Sequence, residues 1–159
     1  MDNNQKNNYY QSLLTETKYI LGYDGKYTPG TIGKMAISTA LLSRHIPDLV
    51  FAGYYLLSGS QLEIGPYQGN IIACTPIQLG KGVCGTCAEN QKTIIVEDVN
   101  LYPNYIACDT ETNSEIVLPV FVNNKFSGVL DIDGKNIGQF DETDVENLEH
   151  FLNLIFSRH

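Results

Sequence analysis

The most constraining feature of the sequence is a pair of apolar segments joined by a very short polar connection. Residues 115–122 read EIVLPVFV, residues 126–133 read FSGVLDID, and only Asn-Asn-Lys separates them. Segments of this length that are rich in β-branched residues form strands, and so short a connection requires a tight hairpin turn. The hairpin therefore predicts an antiparallel sheet in the second half of the chain.

Apolar segments before the hairpin extend this sheet. LVFAGYYLL (49–57) and QLEIG (61–65) are predicted strands on either side of the turn LSGSQ. TIIVED (93–98) is a further strand, and IQLGKG (77–82) reads as a strand followed by a glycine turn.

Helical periodicity occurs at both ends of the chain. Apolar residues fall on one helical face over 9–21, and a second such face runs from Ile32 to Ile46, just before Pro47. A last helix follows Asp141, a good N-cap residue. Its apolar stripe consists of Val145, Leu148, Leu152 and Ile155. Helices packed on a central antiparallel sheet define an α+β fold class.

Length and charge limit the domain organisation and the partners. The 159 residues suit one domain, which we place at 9–159 after a flexible, Asn-rich tail at 1–8. A formal charge of −8 without a basic stripe argues against nucleic acid, and no apolar run approaches a membrane span. The polar start lacks the apolar core of a signal peptide, so a cytoplasmic location is expected. In that compartment cysteines are more often catalytic, metal-binding or inert than structurally bridged.

All four cysteines lie in a long stretch, 66–114, that has little regular structure apart from the strand at 93–98. Long loops in compact domains tend to be functional. Two of these cysteines form the C-x-x-C of GVCGTC, Cys84 and Cys87, while Cys74 and Cys108 stand alone.

Three interpretations of the C-x-x-C are open. A structural zinc site needs four ligands, usually as two close pairs, and only one close pair is present. A thioredoxin-like couple needs its first cysteine at a helix start after a strand; TCAENQK (86–92) could form a short helix, but the rest of that pattern is missing. The third interpretation, which we favour for Cys87, is a small side chain packed like alanine in a tight helix.

Three carboxylates are predicted to meet at one end of the hairpin. Glu115 opens the first strand, and Asp131 and Asp133 share one face at the end of the second. A solvated acidic rim would explain the pattern, but both aspartates interrupt an apolar run, where a charge is costly unless it is used or paired. Carboxyl groups held there would have raised pKa values and could act as acids near neutral pH.

These stretches together resemble a known enzyme family. GPYQGNIIAC, GKGVCGTC, EDVNLYPNYIACD, NSEIVLPV and GVLDID occur in this order between about Phe51 and Phe140, and the set is similar to the free methionine-(R)-sulfoxide reductases. Those are GAF-domain enzymes that reduce the free amino acid and not protein-bound residues. The resemblance implies a GAF-like fold for this chain and the same reaction.

The resemblance also implies roles for individual residues. It makes Cys108 the nucleophile that attacks the sulfoxide sulfur and Cys74 the resolving cysteine. Cys84 corresponds to a further family cysteine, which is the alternative candidate for the resolving cysteine. The implied substrate-binding carboxylates are Glu115, Asp131 and Asp133.

Two positions depart from the family pattern. Phe51 stands where the family tends to have a tryptophan that encloses the substrate methyl group. Phenylalanine preserves the apolar wall of the site but offers a smaller contact area. Cys87 stands where alanine is common, so the C-x-x-C is peculiar to this sequence.

The implied chemistry needs no metal or organic cofactor. The attacking thiol becomes a sulfenic acid, methionine leaves, and a second thiol closes a disulfide. By family resemblance thioredoxin reopens that disulfide, and GAF analogy favours a homodimer through the terminal helices. The alternatives are a GAF sensor that binds a small ligand without catalysis, and a redox-switched or zinc-stabilised interaction domain.

Overall fold

A computed structural model describes residues 3–21 and 28–157 of the chain. The elements in chain order are α1 (Asn3–Ile20), α2 (Thr31–His45), β1 (Leu49–Ser58), β2 (Gln61–Gly69), β3 (Ile77–Gln78), α3 (Gly82–Asn90), β4 (Ile94–Val96), a short 3-10 helix (Val99–Leu101), β5 (Ser114–Val122), β6 (Lys125–Gly134) and α4 (Glu142–Phe156). The strands form a six-stranded antiparallel sheet in the order β3-β2-β1-β6-β5-β4. The predicted α+β class is confirmed.

The β5–β6 hairpin forms as predicted and lies inside the sheet. Val122 pairs with Lys125, so the turn has two residues, Asn123 and Asn124. Both have positive φ, 51° and 63°, which is the type I′ geometry that matches the twist of the flanking strands. Asparagine tolerates this backbone conformation better than most residues, which explains why Asn-Asn closes the hairpin.

The two faces of the sheet are covered differently. On one face Ile116, Leu118, Leu130 and Ile132 pack in a core with α1, α2 and α4. On the opposite face Val117 and Val129 pack with residues of α3. Because side chains alternate along a strand, Glu115, Asp131 and Asp133 lie on the α3 face. The candidate site therefore forms on the side away from the terminal helices.

The predicted flexible tail at 1–8 is wrong for the described residues, because α1 begins at Asn3. Lys6 is only 2% exposed. Its ammonium donates to Asp144, to Asp141 Oδ2 at 2.8 Å and to the carbonyl of Gln139 at 2.9 Å. These partners lie more than 130 residues away, so the local composition, which is polar and Asn-rich, gives no sign of them. The glycine and proline residues of GYDGKYTPG (22–30) predict a turn after α1, and most of that segment lies outside the described residues.

The other terminal helices agree with their predicted signals. α2 ends at His45, two residues before Pro47. Asp141 caps α4 through the backbone N–H of Thr143, and Asp144 completes a capping box. Within the described residues, the helices are too short or too polar to cross a membrane.

Candidate active site

A cavity opens on the α3 face, at the end of the sheet where β5 begins and β6 ends. The space between its walls, together with the solvent at its open mouth, amounts to about 430 Å³. The described residues that line it come from the sheet, from the loop after β2, from the start of α3 and from the loop before β5: Phe51, Tyr55, Ile71, Ile77, Lys81, Gly82, Val83, Cys84, Tyr105, Ile106, Cys108, Asp109, Glu115, Asp131 and Asp133.

The three predicted carboxylates meet in this cavity, as the strand pattern predicts. Glu115 pairs directly with Asp133, and Asp131 lies two residues along the same face of β6. They are 4%, 7% and 6% exposed, respectively. Asp131 Oδ1 and Asp133 Oδ1 have no hydrogen-bond partner within the described chain. The carboxylates therefore form a dehydrated cluster and not a solvated rim.

Burial changes the acidity of this cluster. It raises the pKa of Glu115 and of Asp133 well above their usual range, and the charge of Asp131 adds to both effects. Burial also raises the pKa of Asp131, to about 6, while hydrogen bonds from Glu115 and Cys84 oppose the rise. Near neutral pH the cluster therefore retains protons that it can donate to a bound oxygen atom.

The stability of the fold should depend on pH through these groups. A carboxyl group whose pKa rises on folding destabilises the folded state increasingly as pH rises from about 4 through the folded pKa. Burial raises the pKa of Asp131 to about 6, and Asp131→Asn removes this titrating group and its destabilising effect. We expect the variant's advantage in free energy of unfolding to grow by about 2 kcal/mol between about pH 4.5 and about pH 8. Urea denaturation of both proteins at the two pH values measures it, and an advantage independent of pH would contradict the prediction.

Cys74 and Cys108 form a disulfide whose Cα atoms are 5.6 Å apart. Cys74 follows β2 and Cys108 precedes β5, and both are half-buried. Cys108 lines the cavity. Cys74 is not one of the lining residues and bonds to Cys108 from outside the cavity. This is the pair that the family resemblance implies.

The loop around Cys108 is ordered by its neighbour. Asp109 Oδ1 accepts hydrogen bonds from the backbone N–H groups of Glu111 and Thr112, at 2.6 and 2.8 Å, and its other oxygen accepts from the Thr112 hydroxyl. Sequence reasoning assigned no role to Asp109. The signal for it is local, because aspartate commonly bonds the backbone two or three residues ahead in turns.

The C-x-x-C cysteines face different surroundings. α3 begins at Gly82, four residues before the predicted short helix, so Cys84 falls in its first turn. The Cys84 thiol donates to Glu115 Oε1 at 3.9 Å, whereas the Cys87 thiol donates to the carbonyl of Val117 at 3.6 Å. One cysteine therefore faces the cavity, and the other packs on the sheet.

Burial makes both thiols less acidic, whereas a thioredoxin-like couple requires an acidic thiol. It raises the pKa of the Cys84 thiol well above its usual value and that of Cys87 to about 12. A reactive C-x-x-C has a lowered thiol pKa, so the raised pKa values of these two thiols argue against that interpretation. Cys87 is fully buried in α3, as expected for a small side chain packed in a helix, and its chemical inertness stays a prediction. A four-cysteine zinc site cannot form while Cys74 and Cys108 are bridged.

A single glycine allows α3 to approach the sheet closely enough to place Cys84. A Cβ atom at Gly85 would lie 2.3 Å from the carbonyl oxygen of Gln78, at the end of β3. Any larger residue would push the helix outward, and the cavity would lose one wall.

Aromatic side chains form the apolar part of the cavity. Phe51 is 1% exposed, and β1 places it opposite Asp133. Its ring packs against Tyr67, with ring centroids 5.4 Å apart. Tyr55 and Tyr105 also line the cavity; sequence reasoning singled out neither, because tyrosines are frequent in this chain and neither stands out by spacing.

Comparison with known proteins decides the family. The GAF domain profile matches residues 36–155. The free methionine-R-sulfoxide reductase of Escherichia coli K12 is 42% identical over 121 residues, which is 76% of this chain and 73% of that protein. This chain belongs to the free methionine-R-sulfoxide reductase family of GAF domains. The predicted GAF-like fold and the resemblance are both confirmed.

Solved structures of free methionine-R-sulfoxide reductases have the same fold. The enzyme of Neisseria meningitidis, in complex with its substrate, is 32% identical with a TM-score of 0.82, over 92% of this chain and 85% of that one. The reduced form of the Staphylococcus aureus fRMsr is 36% identical with a TM-score of 0.84, over 92% of each chain.

Proposed function

We propose that the chain reduces free L-methionine-(R)-sulfoxide to L-methionine, with Cys108 as the nucleophile. The observation that carries this proposal is the meeting, in one cavity, of Cys108 with three buried carboxylates whose pKa values are raised. Family membership supports the same activity.

The carboxylates supply what the reaction requires. The sulfoxide oxygen is a poor leaving group until it is protonated, and a neutral carboxylic acid at its position lowers that barrier. Cys108 attacks the sulfur as a thiolate, the oxygen passes to the cysteine as a sulfenic acid, and methionine leaves as the thioether. Cys74 then attacks the sulfenic sulfur, so that a disulfide forms and water leaves.

The charges of the cavity suit a free amino acid. The buried acidic cluster can accept an ammonium group, and Lys81, at the exposed mouth, is the only cationic residue among those described as lining the cavity. A zwitterion therefore finds a partner for each of its charges. Phe51 offers an apolar surface to the methyl group, which leaves the sulfoxide oxygen directed at the acids.

The first test is substrate selectivity. The chain should consume the R epimer of free methionine sulfoxide with little action on the S epimer, because exchanging oxygen and methyl would turn the oxygen away from the carboxyl groups. N-acetylation removes the ammonium charge and should strongly reduce kcat/KM. Chromatographic quantification of methionine, with dithiothreitol as reductant, measures both effects. Equal turnover of the N-acetylated or peptide-bound sulfoxide would contradict the proposal.

Removal of the resolving thiol should separate the two halves of the cycle. Cys74→Ser should still release about one methionine per chain and then stall with thioredoxin, since the sulfenic acid has lost its partner. Dithiothreitol should restore turnover because a small thiol can reach the sulfenic acid directly. Sustained turnover of the variant with thioredoxin would assign resolution to Cys84.

We assign the reductant to the thioredoxin class and the protein to a reducing cytoplasm, where a half-buried disulfide such as Cys74–Cys108 can be reopened by dithiol exchange.

We also propose a homodimer through the terminal helices. Tyr19 and Ile32, at the end of α1 and the start of α2, are 87% and 57% exposed, so these helices present apolar side chains that a second copy could cover. Light scattering of the purified protein checks the dimer, and a monomeric mass would contradict it.

A further inference from the structure

The buried end of the cavity contains a set of ligand atoms suited to a metal ion. Cys84 Sγ, one oxygen of Glu115 and one oxygen of Asp131 all lie within 4.8 Å of one another. The three residues are 5%, 4% and 6% exposed. They come from α3, β5 and β6, which pack directly on one another, so the ligands stand on rigid elements.

A second observation points to a missing cation. Asp133 lines the same cavity and is 7% exposed, and its Oδ1 atom has no hydrogen-bond partner within the described chain. Asp131 Oδ1 is also unpartnered. Lys81, the one cationic residue in the described lining, is exposed at the mouth. A buried carboxylate oxygen without a partner is costly, and a bound cation would remove that cost.

The chemistry of the ligand set selects zinc. A thiolate favours a borderline-soft ion over Mg²⁺ or Ca²⁺, which prefer oxygen ligands alone. With Zn–S near 2.3 Å and Zn–O near 2.1 Å, neighbouring ligands of a tetrahedral ion lie about 3.5 Å apart. The cluster, with separations of up to 4.8 Å, needs to contract by at most about 1.3 Å to reach that spacing.

We propose that the cavity binds one zinc ion through Cys84, Glu115 and Asp131, with a fourth position for water beside Asp133. Zinc displaces the protons of the thiol and the carboxyl groups. The site differs from a C-x-x-C zinc site, because Cys87 points at Val117 and provides no ligand. Zinc and a sulfoxide would compete for the same carboxylates, so zinc would inhibit turnover reversibly; this consequence rests on the proposed function, whereas the zinc site itself does not.

The test measures zinc binding without turnover. The purified chain is used in its Cys74–Cys108 disulfide form, so that neither of these cysteines can act as a ligand. A chromophoric chelator competes for Zn²⁺, and we expect one zinc per chain. Cys84→Ala should weaken binding by about 10²-fold or more. Cys87→Ala, a change of the same size in the same helix, should leave the affinity unchanged, and excess Mg²⁺ should not compete.

Cobalt provides a direct readout of the thiolate ligand. Co²⁺ added to the parent chain and to Cys87→Ala should give a near-ultraviolet thiolate-to-cobalt band that Cys84→Ala lacks. If Cys84→Ala does not fold, Asp131→Asn serves as the second variant and should also lose affinity. Equal zinc affinity in the parent and in the folded Cys84 or Asp131 variant, or loss of binding in Cys87→Ala, would overturn the proposal. Because the disulfide form cannot turn over, neither result bears on the reductase activity.

Discussion

Cys108→Ser is expected to lower turnover of free methionine-(R)-sulfoxide by at least about 10³-fold, to the limit of detection. A serine hydroxyl cannot accept the sulfoxide oxygen, because the product would be a peroxide in place of a sulfenic acid. Cys84 cannot substitute efficiently, since burial raises the pKa of its thiol well above the usual value. Steady-state methionine production with dithiothreitol measures the loss.

The matched control for this experiment is Cys87→Ala. Cys87 is fully buried, away from the cavity, and its loss removes one sulfur atom from the core. A change of this size is tolerated with little cost, so kcat should stay near the parental value. Residual turnover of Cys108→Ser above about one hundredth of the parental rate would contradict the assignment of the nucleophile.

Glu115→Gln and Asp133→Asn are expected to lower kcat by about 10²-fold or more. Both changes keep the shape of the side chain and remove the transferable proton. The two residues face each other across β5 and β6, and burial raises the pKa of both. If they protonate or polarise the sulfoxide oxygen, the effect must appear in kcat and not in KM alone.

Glu63→Gln is the control for these variants, because Glu63 is an exposed carboxylate on β2, outside the cavity. It should leave both constants unchanged. A rise in KM with unchanged kcat in Glu115→Gln and Asp133→Asn would reduce these carboxylates to groups that hold the substrate.

The sheet and its acidic end are predictable from the sequence because strand chemistry is local. The register is the exception: the two-residue turn alone would set Glu115 opposite Ile132, and a β-bulge between Val120 and Phe121 shifts the pairing by one residue to Asp133. Side-chain alternation then brings Asp131 to the same face, and burial follows from the apolar neighbours. The raised pKa values are a consequence of that burial, so their direction is also predictable.

The remaining features depend on contacts between distant parts of the chain. Lys6 belongs to a polar segment, and its burial depends on distant partners such as Asp144, 138 residues away. α3 starts at Gly82 and approaches Gln78 closely at Gly85, and the glycine-rich sequence does not show this packing. The different surroundings of Cys84 and Cys87 follow from that start, and no spacing rule predicts which thiol turns toward the carboxylates. The cysteine pairing came from family resemblance and not from physical reasoning on the chain.

A single-turnover experiment tests the central claim most directly. The fully reduced chain is mixed with one equivalent of free methionine-(R)-sulfoxide in the absence of a reductant, and methionine and the cysteine linkages are quantified by mass spectrometry. The proposed mechanism predicts about one methionine per chain and a Cys74–Cys108 disulfide, with Cys87 left as a thiol. Absence of methionine, or a dominant Cys84–Cys87 disulfide, would contradict it.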